Sequence, residues 1–176
     1  MADKIEPIYF ELSVGGLSRA GIAQAVQAVK KELTQGVHAL THFPKKMFDS
    51  EAKNEFLFVL DSVGNLTGRD GIIESDEVLA ALEGQGKPCE LWMAPYIFLS
   101  LVKDLVLAER AQYKKFECVT VLARPFTSSL LSLNQRKPRE TLYWPSVRTL
   151  LYGGDIFAMK DARLRPESRI VYLAAE

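Results

Sequence analysis

The chain is poor in the two side chains that most often do chemistry. It has two cysteines, Cys89 and Cys118, and two histidines, His38 and His42. Two cysteines make no disulfide framework, so a reducing compartment, the cytosol, is the expectation. With both histidines four residues apart, a serine or cysteine nucleophile could find a base at one place only, and no G-x-S-x-G elbow is present. No carboxylate pair singles itself out for acid–base work either, so the inventory leans against an enzyme. Long apolar runs are also missing. The richest stretch, "LWMAPYIFLSLVKDLVLA", is broken by Pro95, Lys103 and Asp104, whereas a membrane span needs roughly 20 apolar residues. The N-terminal "MADKIEPIYF" is charged and has no apolar core of a leader, so no secretory signal is expected, although signal-less export would leave no such trace. No repeat of solenoid period and no low-complexity linker interrupts the 176 residues. One globular domain over residues 1–176 is therefore expected.

What is present is a globular composition, 48% hydrophobic and 25% charged, which has enough apolar side chains to close a core. Net charge is zero but unevenly spread. Residues 1–110 hold 11 Lys and Arg against 16 Asp and Glu, a balance of −5, and residues 111–176 hold 11 against 6, a balance of +5. Such an asymmetry either lets two parts of one domain complement each other or marks acidic and basic surfaces for a partner.

Hydrophobic periodicity organises the chain. In "PIYFELSV", Ile8, Phe10, Leu12 and Val14 alternate with Tyr9, Glu11 and Ser13, the period of a half-buried strand. Gly15 and Gly16 turn the chain, and Ser18 caps a helix whose stripe is Ile22, Val26, Val29 and Leu33, stopped at Gly36. "FDSEAKNEFLFVLDSV" reads as a second helix, capped by Asp49 or Ser50, with Phe56, Leu60 and Val63 on one stripe. "SDEVLAALEG" reads as a short helix capped by Ser75, and a long helix begins near Pro95 and runs to about Arg110. Beyond it, "FECVTVLA" is apolar and β-branched enough for a buried strand. "PSVRTLLYGG" reads as a helix, and "DIFAMK" and "SRIVYLAA" as strands around the charged "DARLRPE", a hairpin by pattern. A strand, several helices and then strands predict an α+β fold, with helices packed on a small, mainly antiparallel sheet.

One stretch resembles half of a metal site. An EF-hand loop places oxygen ligands at positions 1, 3, 5, 7 and 9, glycine at 6 and a bidentate glutamate at 12. With Gly71 at position 6, Asp70 falls at 5, Ile73 at the apolar position 8, Glu74 at 9 and Glu77 at 12. Strict spacing puts Leu66 and Gly68 at positions 1 and 3. One inserted residue brings Asn65 and Thr67 there instead, with Asp61 a turn earlier. The candidate set is Asn65, Thr67, Asp70, Glu74 and Glu77, and hard oxygen donors at that density suit Ca²⁺. The competing reading is a turn followed by a helix whose first turn wants acids for its dipole. His38 and His42, on one face if helical, could share a zinc, but Ala39 and Leu40 between them supply no general base. "VGGLSRAG" offers glycines before a helix but fits neither phosphate-loop pattern.

The basic C-terminal third gathers Arg136, Lys137 and Arg139 near Tyr143 and Trp144, and Lys160, Arg163, Arg165 and Arg169 further on. Basic and aromatic side chains together hold single-stranded nucleic acids. They equally suit an acidic protein surface. A pI of about 6.8 lies below the range of a dedicated nucleic-acid domain. The sequence thus points first to a non-enzymatic protein–protein interaction or self-association module with no resident cofactor. A calcium-regulated module at 65–77 comes second and nucleic-acid binding third.

Overall fold

The computed structural model describes residues 6–29, 53–109, 119–123 and 163–176. Strand β1 (Ile8–Val14) pairs antiparallel with β2 (Asn54–Ser62), and β2 pairs antiparallel with β7 (Arg169–Ala174). The other edge of β7 takes two short strands. Parallel β5 (Val119–Val121) lies along residues 169–171, and antiparallel β4 (Gly86–Lys87) lies against Leu173 and Ala174. This five-stranded sheet is mostly antiparallel. A separate two-residue pair joins β3 (Ile73–Glu74) to β6 (Arg163–Leu164). Helices α1 (Arg19–Val29), α2 (Val63–Thr67), α3 (Ser75–Leu82) and α4 (Ala94–Glu109), the last entered through a 3₁₀ turn at Leu91–Met93, complete an α+β fold.

Within the segment read as a helix with Phe56, Leu60 and Val63 on one stripe, residues 54–62 are instead β2 and Val63 opens α2, while the expected caps Asp49 and Ser50 lie outside the described residues. Phe56, Phe58 and Leu60 fit a period of two as well as Phe56, Leu60 and Val63 fit a helical period. Flanked on both edges by strands, β2 is buried on both faces from Phe58 onward, so its apolar run is continuous and periodicity alone cannot choose. Aromatic and β-branched side chains then settle the competition in favour of the sheet.

Alternation along β1, β2 and β7 divides the sheet into two faces. The first carries Phe10, Leu12 and Val14, then Phe56, Phe58 and Leu60, then Val171 and Leu173, with Val119 and Val121 from β5. Ile22 of α1 and Ala94, Ile97, Phe98 and Leu101 of α4 pack against it. Phe10 stacks on Phe58 with ring centroids 5.6 Å apart, and Trp92 meets Phe56 and Tyr96 edge-on. Each large side chain buried here contributes about 1.5–3 kcal/mol, and among the described residues this is the larger of the two buried apolar clusters. The second face, Val59, Ile170 and Tyr172, lies under α2 and α3 through Val63, Leu66, Val78 and Leu82.

Ser18 caps α1 as its position predicts, its Oγ accepting from the Gly21 N–H at 3.1 Å. The cap of α3 is Glu74 rather than Ser75. Glu74 and Glu77 face each other as a capping box, in which Glu77 Oε2 accepts from the Glu74 N–H at 3.4 Å. "DIFAMK", the proposed partner of β7 in a hairpin, and the helix read at "PSVRTLLYGG" lie outside the described residues. Within "DARLRPE", Arg163 and Leu164 form a strand with β3 rather than a plain connection. No helix among the described residues is long and apolar enough to cross a membrane.

Candidate functional site

The segment that resembles a calcium loop is built from separate pieces. Ser62, the last residue of β2, caps α2, its Oγ accepting from the Asn65 N–H at 3.2 Å. Asn65 and Thr67 are therefore helical. Asn65 Nδ2 donates to Asp61 Oδ1 at 2.9 Å, and Thr67 Oγ1 donates to the Val63 carbonyl at 2.7 Å. The left-handed glycine that ends α2 is Gly68, and Gly71 is absent from the glycines with positive φ. Arg69 donates to Glu77 Oε1 at 2.7 Å, while Glu74 and Glu77 cap α3. Asp70 is exposed. No group of three or more His, Cys, Asp or Glu side chains placed to hold a metal occurs among the described residues.

His38 and His42 lie outside those residues, as do Arg136, Lys137, Arg139, Tyr143, Trp144 and Lys160 of the basic set. Of the remainder, Arg163 sits in β6 opposite Glu74, and exposed Arg165 approaches Glu167 at 3.9 Å. Arg169 is half-buried at the start of β7, where its Nη1 is buried without a hydrogen-bond partner. Burial holds its guanidinium below the usual arginine range, opposed by the charge of Asp61.

Asp61 organises a site that the motifs do not announce. It lies near the end of β2 with 4% of its surface exposed. Its Oδ1 accepts from the Ser62 N–H at 2.7 Å and from Asn65 Nδ2. Its Oδ2 accepts from the Tyr172 hydroxyl at 3.3 Å. Arg169 acts on it electrostatically, yet no ion pair to Asp61 forms among the described residues. A buried carboxylate is tolerated when hydrogen-bonded, and three donors from two strands and a helix do that here. The Tyr172 phenol, desolvated and beside this carboxylate, is pushed well above the ordinary tyrosine range.

This carboxylate stands at the wall of an open cleft of about 670 Å³ on the second face of the sheet. Glu6 and Tyr9 contribute from the β1 side, Asp61 and Asn65 from the β2–α2 junction, and Gln85 and Tyr172 from the far side. Gln85 is fixed by two carbonyls, its Nε2 donating to Leu66 at 3.1 Å and Ala81 at 2.8 Å. The cleft exists because α2 and α3 cover only the β7 half of this face. Over β1 and the start of β2, Tyr9, Glu11, Glu55 and Leu57 remain exposed, Tyr9 at 64% and Leu57 at 42%. One sequence signal pointed to it, a single aspartate inside the apolar run "FLFVLDSV". Read as a helix, that run gave Asp61 no face to share with Tyr9 or Tyr172.

No protein-family model, curated protein or solved structure matches the chain.

Proposed function

We propose that the protein is a non-enzymatic assembly module in which the uncovered part of the second sheet face docks the basic residues 111–176 of another copy. One observation carries this reading. The sheet face left open by α2 and α3 exposes Tyr9 and Leu57 among Glu6, Glu11 and Glu55, and no Lys or Arg of β1 or β2 stands among them. Aromatic and apolar side chains supply contact area, and the carboxylates favour a cationic partner. The chain itself holds such a partner in residues 111–176, with a balance of +5. A docking face that differs from its complement makes a heterologous contact, which closes into rings or extends into filaments.

Sedimentation velocity at low and high salt tests it. The chain should sediment above its 19.7 kDa monomer at low ionic strength and return to the monomer at about 0.5 M salt, where screening is strong. The double charge reversal Glu11→Lys and Glu55→Lys should leave the fold intact and abolish association. A wild-type monomer at every salt concentration would overturn the reading. Calcium and nucleic-acid binding stand behind it as proposals, since the calcium candidates are engaged locally and most of the basic set lies outside the described residues.

A further inference from the structure

The cleft around Asp61 has a chemistry of its own. Its polar lining among the described residues combines two carboxylates, Glu6 and Asp61, with the phenols of Tyr9 and Tyr172 and the side-chain amides of Asn65 and Gln85, and no Lys, Arg or His is among them. Both hydrogen-bond partners of the Gln85 amide are carbonyls engaged by its nitrogen. Its oxygen therefore has no donor among the described residues. Among the described residues Asp61 Oδ2 receives only the long 3.3 Å bond from Tyr172, and a carboxylate oxygen has room for another donor. The described lining is thus rich in acceptors and π-faces and includes no cation.

A planar, weakly hydrated cation with several donors fits that lining better than a compact ammonium. Its edges can meet the carboxylates and the amide oxygen while its face lies against a tyrosine ring. We propose that the cleft is a receptor for a guanidinium group. At about 670 Å³ it falls within the usual range of ligand clefts, about 300–1,000 Å³, and has room for an alkyl stem behind the head. The same chemistry could arrive on a free alkylguanidine or on an arginine of a second copy. The inference about the cleft stands whether or not the chain assembles.

The test uses ethylguanidinium chloride as the probe, followed in amide proton–nitrogen spectra of the full chain, with ethylurea as the neutral isostere and sodium chloride as the ionic-strength control. Saturable shifts confined to the amides of Tyr9, Asp61, Asn65, Gln85 and Tyr172 should appear with ethylguanidinium and not with ethylurea. Asp61→Asn should weaken the affinity at least tenfold. Glu6→Gln and Tyr9→Ala, at exposed positions, should each weaken it several-fold, and they keep the test alive if Asp61→Asn unfolds. Equal shifts with ethylurea, or affinity unchanged in all three variants, would overturn the proposal. Sedimentation in saturating ethylguanidinium then separates the sources. Loss of association at constant ionic strength identifies an arginine of another copy as the natural occupant. Binding with association unchanged, or with no association to begin with, identifies a free alkylguanidine.

Discussion

Tyr96 holds Leu17 by both ends of its backbone: its hydroxyl accepts from the Leu17 N–H and donates to the Leu17 carbonyl, each at 3.1 Å. The two residues are 79 positions apart. Through this one phenol, α4 fixes the turn at Gly15 and Gly16 through which β1 enters α1. Tyr96→Phe keeps the ring that meets Trp92 and removes both bonds. Leu17 is 39% exposed, so water recovers part of the loss, and a destabilisation of about 1–2 kcal/mol is expected in urea unfolding. An unchanged midpoint would show that the turn holds itself.

Two glycines should respond oppositely to alanine. A Cβ on Gly86 would sit 2.5 Å from the Leu173 carbonyl and 2.6 Å from the Tyr172 ring. The carbonyl belongs to the central sheet and cannot withdraw, so Gly86→Ala should cost about 1–3 kcal/mol. Gly71 has nothing within 4 Å and no positive φ. Gly71→Ala should be neutral or stabilise by up to about 1 kcal/mol through the unfolded chain. Thermal melts of the pair, side by side, check both.

Tyr172 makes stability fall at alkaline pH. Its folded pKa is raised by burial first and by Asp61 second, so above the ordinary value of 10.0 the unfolded chain loses the phenolic proton while the folded chain keeps it. Fewer protons on the unfolded state means that stability declines as pH rises through this window. Tyr172→Phe should start less stable at pH 8, having left Asp61 one donor short, and then lose stability less steeply between pH 9.5 and 11. Parallel curves for the two proteins would refute the linkage.

Calcium at millimolar concentration should leave the melting curve where excess chelator leaves it. Asn65, Thr67, Glu74 and Glu77 are each held in a local hydrogen bond or ion pair, and a ligand would have to break several at once. Binding at about 100 times the dissociation constant would add roughly 2.7 kcal/mol, so a rise of about 5–10 °C would be unmistakable and would show that the segment rearranges around a metal.

Cys89 should resist alkylation in the folded protein. It is fully buried, and desolvation, aided by Glu90, pushes its thiol far above the ordinary range, whereas the thiolate is the reactive form. Iodoacetamide followed by peptide mass analysis should leave Cys89 unmodified in buffer and label it in denaturant.

Where one period ruled, the elements were legible. The alternation of Ile8 to Val14, the cap at Ser18, the long helix near Pro95 and the strand at "SRIVYLAA" all occur where the pattern places them. The segment around Phe58 was not, because a strand buried on both faces shows no alternation and its apolar positions also satisfy a helix. Strands of two residues, at Ile73, Gly86 and Arg163, are too short to carry any period and form only because tertiary neighbours offer hydrogen bonds. The cleft was illegible for a further reason. Tyr9, Asp61 and Tyr172 come from three strands far apart in sequence, and only the order β1–β2–β7 puts them on one face.

That order also sets a timetable. β7 follows every other described strand in the sequence, yet it sits inside the sheet, bonded to β2, β4 and β5. During synthesis the ribosome releases β1 and β2 first, and a two-stranded pair is marginal alone. At roughly 5–20 residues per second, the stretch from Ser62 to Arg169 takes on the order of 5–20 s to emerge. Throughout that interval the free edge of β2, flanked by Phe58 and Leu60, waits without its neighbour. An unpaired apolar strand edge is the kind of surface that aggregates when left uncovered, and in this topology β2 gains its second neighbour only after residues 169–174 have been made.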